Sequence, residues 1–222
     1  MKSLKSFILL LIVMIFLNQN AYPQENNEDF LNAIRQGDIK KVEDLIDEGV
    51  DVNFVQNDRN TPLMYAIWSD HFDIVKLLVE KGADVNVKTE KGGTALNAAA
   101  SMGDQNICSF LLSKGADVDA VDNEGKTPLM NAVYNKKKEV VSVLIEKGAE
   151  INAKDPNGWS ALMFATMQGE TESVQLLIEA GADVNSKTKD GETPLQRAEK
   201  IHNAKLMDLK ETINILKEAG AE

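Results

Sequence analysis

The chain has 222 residues, of which 43% are hydrophobic, and its 35 acidic and 24 basic side chains give a formal net charge of −11. This acidic excess weighs against nucleic acid and anionic membrane surfaces as partners, because both are bound through basic stripes. It favours a basic protein as partner through faster association. The single cysteine, Cys108, excludes an intramolecular disulfide and is predicted to be a small buried hydrophobe.

The first 21 residues have the layout of a secretory signal peptide. Lys2 and Lys5 precede eleven uninterrupted apolar residues, 7–17, and polar residues follow. The apolar run is shorter than the roughly 20 residues that span a bilayer, which favours a cleaved leader over a retained anchor. We expect cleavage near Ala21, a polar linker at 22–27, and a periplasmic or secreted protein, with a bacterial source favoured by the short leader. Losing residues 1–21, which hold two lysines and no acidic residue, changes the charge from −11 to −13.

A period of 33 residues runs through the rest of the chain. A threonine or serine recurs at this interval, at Thr61, Thr94, Thr127, Ser160 and Thr193. A glycine does the same, at Gly49, Gly82, Gly115, Gly148 and Gly181. A fixed period of this size is typical of a solenoid.

Each unit is predicted to contain two short helices and an extended tip. In the unit that starts at Thr61, the hydroxyl suits an N-cap and Pro62 suits the first helical turn. Apolar residues over 74–78 have helical spacing, and Gly82 is expected to end this second helix in a left-handed conformation. Two helices of this length cannot bury their apolar faces alone, so each unit must stack on the next.

The Thr-Pro-Leu start, the Ile/Val-Val-x-Leu-Leu core and the Gly-Ala-Asp-Val-Asn close resemble the ankyrin repeat over residues 28–222. The resemblance implies an all-α solenoid of stacked helix-turn-helix units, with β-turn or hairpin fingers along one edge and a concave surface that binds another protein. It divides the domain into an N-terminal cap at 28–56, full repeats at 57–89, 90–122, 123–155 and 156–188, and a C-terminal cap at 189–222. The closing Gly220 lies six residues later than the period expects, and these residues are predicted to lengthen the last helix pair.

The sequence departs from the family pattern in two ways. The histidine that usually follows Thr-Pro-Leu is absent from every unit, so the hydrogen bonds that it makes between units are not expected, and stability should depend more on apolar packing. Arg59, Asp70 and Lys136 stand where the family usually has a turn glycine, which predicts turns that are strained or differently shaped.

Large side chains outside the repeating core mark the predicted partner-binding surface. The resemblance places partner contacts at the end of the first helix and in the finger, and interface cores are enriched in aromatic residues and methionine. The predicted partner-binding residues are Trp68, Met102, Tyr134, Trp159 and Met167, with all except Trp159 in one row. The alternative is packing against neighbouring helices, which we expect for Tyr65, Phe72, Phe110 and Phe164 and leave open for the two methionines.

No catalytic, cofactor or metal site is predicted from the sequence. His71 and His202 are the only histidines and have no obvious metal-binding or nucleophilic neighbours. The carboxylates that recur in every unit, at Asp51, Asp84, Asp117, Glu150 and Asp183, are interpreted as structural or solvated, and the Lys136–Lys138 run is interpreted as a solvated turn.

The sequence thus predicts an exported, non-enzymatic protein-protein interaction module, acting as a scaffold, modulator or inhibitor. It is expected to be monomeric, to bind neither nucleic acid nor a cofactor, and not to remain inserted in a membrane after cleavage. Two alternatives stay open: a periplasmic protein that binds small molecules or cell-wall fragments, and a structural or adhesive surface protein.

Overall fold

The computed structural model describes residues 24–56 and 59–222, and within these ranges every regular element is an α-helix. In chain order the helices are α1 (Gln24–Gln36), α2 (Ile39–Asp47), α3 (Pro62–Trp68), α4 (Phe72–Glu80), α5 (Ala95–Met102), α6 (Gln105–Ser113), α7 (Pro128–Tyr134), α8 (Lys138–Glu146), α9 (Ala161–Gln168), α10 (Thr171–Glu179), α11 (Pro194–Asn203) and α12 (Lys210–Glu218). The predicted signal peptide lies outside the described residues. Helix α1 begins at Gln24, within the segment predicted to be a linker.

The odd-numbered helices, here called inner, and the even-numbered helices, here called outer, form two layers of an all-α solenoid, as predicted. Each inner helix contacts the next inner helix and its own outer helix. One apolar core runs through the stack, with equivalent leucines buried in successive inner helices and Cys108 fully buried in an outer helix. Burial, and secondarily the carboxylate of Asp104, raises the pKa of Cys108 to about 12. The prediction that this cysteine is a buried hydrophobe is therefore confirmed.

The repeated threonine or serine caps each inner helix from α3 onward. Its side-chain oxygen accepts a hydrogen bond from the backbone N–H three residues later, at 3.2–3.4 Å, in Thr61, Thr94, Thr127, Ser160 and Thr193. Three of these helices also have proline in the first turn. These caps confirm the predicted starts of the inner helices.

A ladder of asparagines at the base of the fingers joins each unit to the next. Asn53, Asn86, Asn152 and Asn185 donate from Nδ2 to the carbonyl of the next closing glycine, at 2.9–3.1 Å. Their Oδ1 atoms accept from a backbone N–H two residues beyond that glycine. Asp119 occupies the equivalent position between repeats 90–122 and 123–155. It accepts a hydrogen bond from the Glu150 N–H at 2.8 Å but donates none to the closing glycine, because a carboxylate has no N–H. A repeated set of hydrogen bonds between units is thus present without the missing histidines.

The turns between inner and outer helices keep the same backbone shape whether or not they contain glycine. Asp70 and Lys136 have φ of 59° and 58°, in the left-handed region that Gly103 and Gly169 occupy at the equivalent positions. Arg59 also has a positive φ, of 60°. Of the two predicted outcomes, the strained turn is therefore the correct one.

The six extra residues near the C-terminus lengthen only the inner helix of the last pair. Helix α11 has 10 residues against 7 or 8 in the inner helices of the four full repeats, α3, α5, α7 and α9, whereas α12 has 9 like the other outer helices. The remaining extra residues form a loop that carries the exposed side chain of Leu206. His202 Nδ1 accepts a hydrogen bond from the Leu209 N–H across this loop, at 3.2 Å, which gives this histidine a structural role.

Candidate functional site

The predicted partner-binding residues lie where the inner helices end and in one finger. Trp68, Met102 and Tyr134 are the last residues of α3, α5 and α7, and Met167 is the last but one of α9. Trp68, Met102 and Tyr134 expose 40%, 45% and 48% of their surface. Apolar side chains of this size that stay exposed beside a well-packed core are available to a partner.

The first part of this surface is a groove of about 230 Å³, here called the Trp68 groove. Trp68 and Met102 line it, with Ala98 and Ser101 between them. Gly93 leaves space on the finger side, because it has no side chain. Among the lining residues of this groove, Asp122 is the only one with a charged side chain.

The second part is a cleft of about 540 Å³, here called the Trp159 cleft. Its lining includes Trp159, Phe164 and Met167. Phe164 is buried and forms the centre of an aromatic cluster, with its ring centroid 5.3 Å from that of Trp159 and 6.0 Å from that of Tyr134. The predicted row is therefore divided into two clusters, and Tyr134 and Met167 belong with Trp159 rather than with Trp68.

Two cations cover aromatic rings in the second cluster. Lys126 Nζ lies 4.8 Å from the Tyr134 ring centroid, and Arg197 lies 5.2 Å from that of Trp159. Each cation is held by a glutamate, Lys126 by Glu124 at 2.8 Å and Arg197 by Glu192 at 2.7 Å. Such cation–π contacts stabilise the rings in one orientation.

These ion pairs also change the protonation equilibria of the cleft. The hydrogen bond between Glu124 and Lys126 is the main cause that lowers the pKa of Glu124 and raises that of Lys126. The hydrogen bond from Lys200, followed by that from Arg197, lowers the pKa of Glu192. Glu124, Lys126 and Glu192 therefore stay charged at neutral pH, and the polar rim of the cleft has both signs of charge.

Packing and exposure separate the two tryptophans. Trp68 meets Tyr65 edge-on, at 5.6 Å and 86°, and is exposed. Trp159 is half-buried and packs against the core as well as lining the cleft. Trp159, predicted to lie outside the repeating core, therefore also packs against that core, with Phe164 and Arg197 next to its ring. The packing predicted for Tyr65, Phe72, Phe110 and Phe164 is confirmed.

Comparison with known families agrees with this architecture. The family described as "Ankyrin repeats (3 copies)" matches residues 6–89, 86–155 and 151–221. The chain belongs to the ankyrin-repeat family. Ankyrin repeats are generally protein-protein interaction modules and are typically non-enzymatic scaffolds. Comparison of this ankyrin-repeat protein with curated proteins gave no match.

The polar groups considered for chemistry have structural partners in this ankyrin-repeat protein. His71 Nε2 donates to the Arg35 carbonyl of the preceding unit at 3.2 Å. The recurring carboxylates each accept a backbone N–H two residues later, as Asp84 does from Asn86 at 2.8 Å. Lys136 forms a salt bridge with Glu170 of the next unit, and Lys138 forms one with Glu172.

Two properties of the described residues bear on other functions. No group of three or more His, Cys, Asp or Glu side chains among them is arranged to hold a metal ion. Over the same residues, the helices are all too short or too polar to cross a membrane.

The cations over the aromatic rings are the functional feature that sequence reasoning missed. Arg197 lies one period after Phe164, and Lys126 lies one period before Trp159. This register places both cations on the same face as the aromatic residues, where Lys126 covers Tyr134 of its own repeat and Arg197 covers Trp159 of the preceding repeat. The period therefore identifies the two cations from the sequence, but not the rings that they cover.

Proposed function

We propose that this protein is an exported interaction module that binds a protein partner through its concave face and fingers. The observation that carries the proposal is the exposure of Trp68, Met102 and Tyr134, each the last residue of an inner helix. Aromatic and methionine side chains in such positions are typical of the residues that dominate binding energy. The net charge of −11 supports a basic partner.

Capture of the partner tests the proposal. Tagged residues 22–222 would be incubated with envelope and secreted fractions of the source organism, beside a Trp68→Ala/Tyr134→Ala variant. The matched control is Ile39→Ala/Leu206→Ala, which removes exposed apolar side chains that line neither the Trp68 groove nor the Trp159 cleft. We expect a protein that is retained by the wild type and the control and is lost by the first variant. Equal retention by all three would contradict binding through the concave face.

Export and assembly are tested separately. Export predicts that the protein purified from its native host begins near Tyr22 and is found in the periplasm or the medium, which N-terminal sequencing after fractionation would show. Recovery of an intact N-terminus in the cytoplasm would reject export. Light scattering after size-exclusion chromatography should give the mass of a monomer.

A further inference from the structure

One unit of the solenoid lacks a cation that an equivalent unit has. Helices α3 and α7 share the pattern Pro-Leu-Met-x-Ala-x-aromatic, and they end at Trp68 and Tyr134. The residue just before the capping threonine is Asn60 in repeat 57–89 and Lys126 in repeat 123–155. Lys126 covers the Tyr134 ring, whereas an asparagine cannot supply a cation to Trp68.

Trp68 differs in this respect from the other solvent-facing aromatic residues of the concave face. Arg35 lies 4.9 Å from the ring centroid of Tyr65, Lys126 covers Tyr134, and Arg197 covers Trp159. Within the described residues, no cation is positioned over the Trp68 ring. Tryptophan is the aromatic side chain that attracts a cation most strongly.

The rest of the Trp68 groove suits a long basic side chain. Its lining contains no lysine or arginine, and its single charged side chain is the carboxylate of Asp122. Met102 and Ala98 provide apolar surface for the alkyl part of arginine or lysine, while the charged end stays near polar groups. Gly93 leaves the approach open from the finger side.

We propose that the Trp68 groove binds an arginine or lysine side chain of the partner, which stacks on the indole ring as Lys126 stacks on Tyr134. This inference rests on the proposed function and identifies the partner as a protein with an exposed basic residue at the centre of its contact surface. The acidic charge of the chain as a whole would bring such a partner to the face, and the Trp68 groove would select the side chain.

The test uses capped tetra-arginine as probe and capped tetra-citrulline as its uncharged counterpart, with dissociation constants measured by calorimetry. The variants are Trp68→Leu, which removes the ring but keeps an apolar side chain, and Asn60→Lys, which supplies an internal cation. Asn60→Gln is the control for loss of the native asparagine. We expect tetra-arginine to bind more tightly than tetra-citrulline, with affinity reduced at least about threefold by Trp68→Leu and by Asn60→Lys but not by Asn60→Gln.

The double variant Asn60→Lys/Trp68→Leu separates stacking from a simple change in net charge. If the lysine introduced by Asn60→Lys acts by covering the ring, adding this substitution to Trp68→Leu should change the affinity for tetra-arginine less than about twofold. Equal affinities of wild type and Trp68→Leu, or an equal loss from Asn60→Lys in both backgrounds, would overturn the proposal. Partner capture that depends on Trp68 and Tyr134 would then still stand, so failure of the cation site is distinguishable from failure of the proposed function.

Discussion

The two clusters of the concave face stand on the same backbone and differ in what surrounds their aromatic rings. At the Trp68 groove, the indole meets one neighbouring ring edge-on and remains exposed. At the Trp159 cleft, Phe164 contacts the rings of both Tyr134 and Trp159, and these two rings are covered by cations. An aromatic residue at a variable position can therefore be a binding residue or a packing residue, and its neighbours in adjacent units decide which.

The largest difference between the clusters should appear when Phe164 is removed. Phe164 is 7% exposed and joins Tyr134 to Trp159, so Phe164→Ala should lower the free energy of unfolding by about 3–4 kcal/mol. Urea denaturation monitored by circular dichroism measures this loss. Ala98 occupies the equivalent position in repeat 90–122, which shows that the solenoid itself does not need a large side chain there. A loss below about 1 kcal/mol would mean that the aromatic cluster does not support the fold.

The two tryptophans provide the next comparison. Trp159→Ala should lower the free energy of unfolding by about 2 kcal/mol, since it removes a half-buried ring from the core and from Phe164. Trp68→Ala should lower it by less than about 1 kcal/mol and instead weaken partner binding by about 2 kcal/mol. Parallel urea titrations and binding measurements would separate the effects. A greater loss of stability from Trp68→Ala than from Trp159→Ala would reverse the distinction.

The inner helices also differ at a buried position behind the exposed rings. Thr166 in α9 is fully buried, and its hydroxyl has no hydrogen-bond partner in the described part of the chain, whereas Ile67 and Val133 occupy the equivalent positions in α3 and α7. Thr166→Val keeps the shape and removes the unsatisfied hydroxyl, so it should raise the free energy of unfolding by about 1 kcal/mol. Thr166→Ser, which keeps the hydroxyl and loses the methyl group, is the control and should be destabilised. A destabilised Thr166→Val would indicate that the hydroxyl is satisfied by water.

The features that sequence reasoning predicted are those with local causes. A threonine before proline caps a helix through its own hydroxyl, and the 33-residue period fixes which leucines face the core, so the helix starts and the stacking followed from the sequence. The left-handed turn at Asp70 could be expected on the same grounds, because the solenoid imposes the same turn on every unit.

The features that sequence reasoning missed depend on contacts between units. Trp159 packs against Phe164 of its own repeat, but Arg197, which covers its ring, comes from the next unit and is not visible in the repeat that contains Trp159. The division of the predicted row has the same origin, since Ala98 is small where Phe164 is large. Side-chain size at one register, compared across all units, decides where the concave face is filled and where it is open.

The joint between the two clusters contains the one irregular position of the asparagine ladder. Asp119 accepts the Glu150 N–H but cannot donate to the Gly148 carbonyl, whereas Asn86 in the preceding joint makes both bonds, at 2.9 and 3.0 Å. Asp119→Asn should therefore add one hydrogen bond and raise the free energy of unfolding by about 0.5–1 kcal/mol. Asn86→Asp is the matched opposite change and should lower it by a similar amount in the same urea titration. If Asn86→Asp destabilises and Asp119→Asn has no effect, the Gly148 carbonyl is already satisfied, and the joint between the clusters is as firmly bonded as its neighbours.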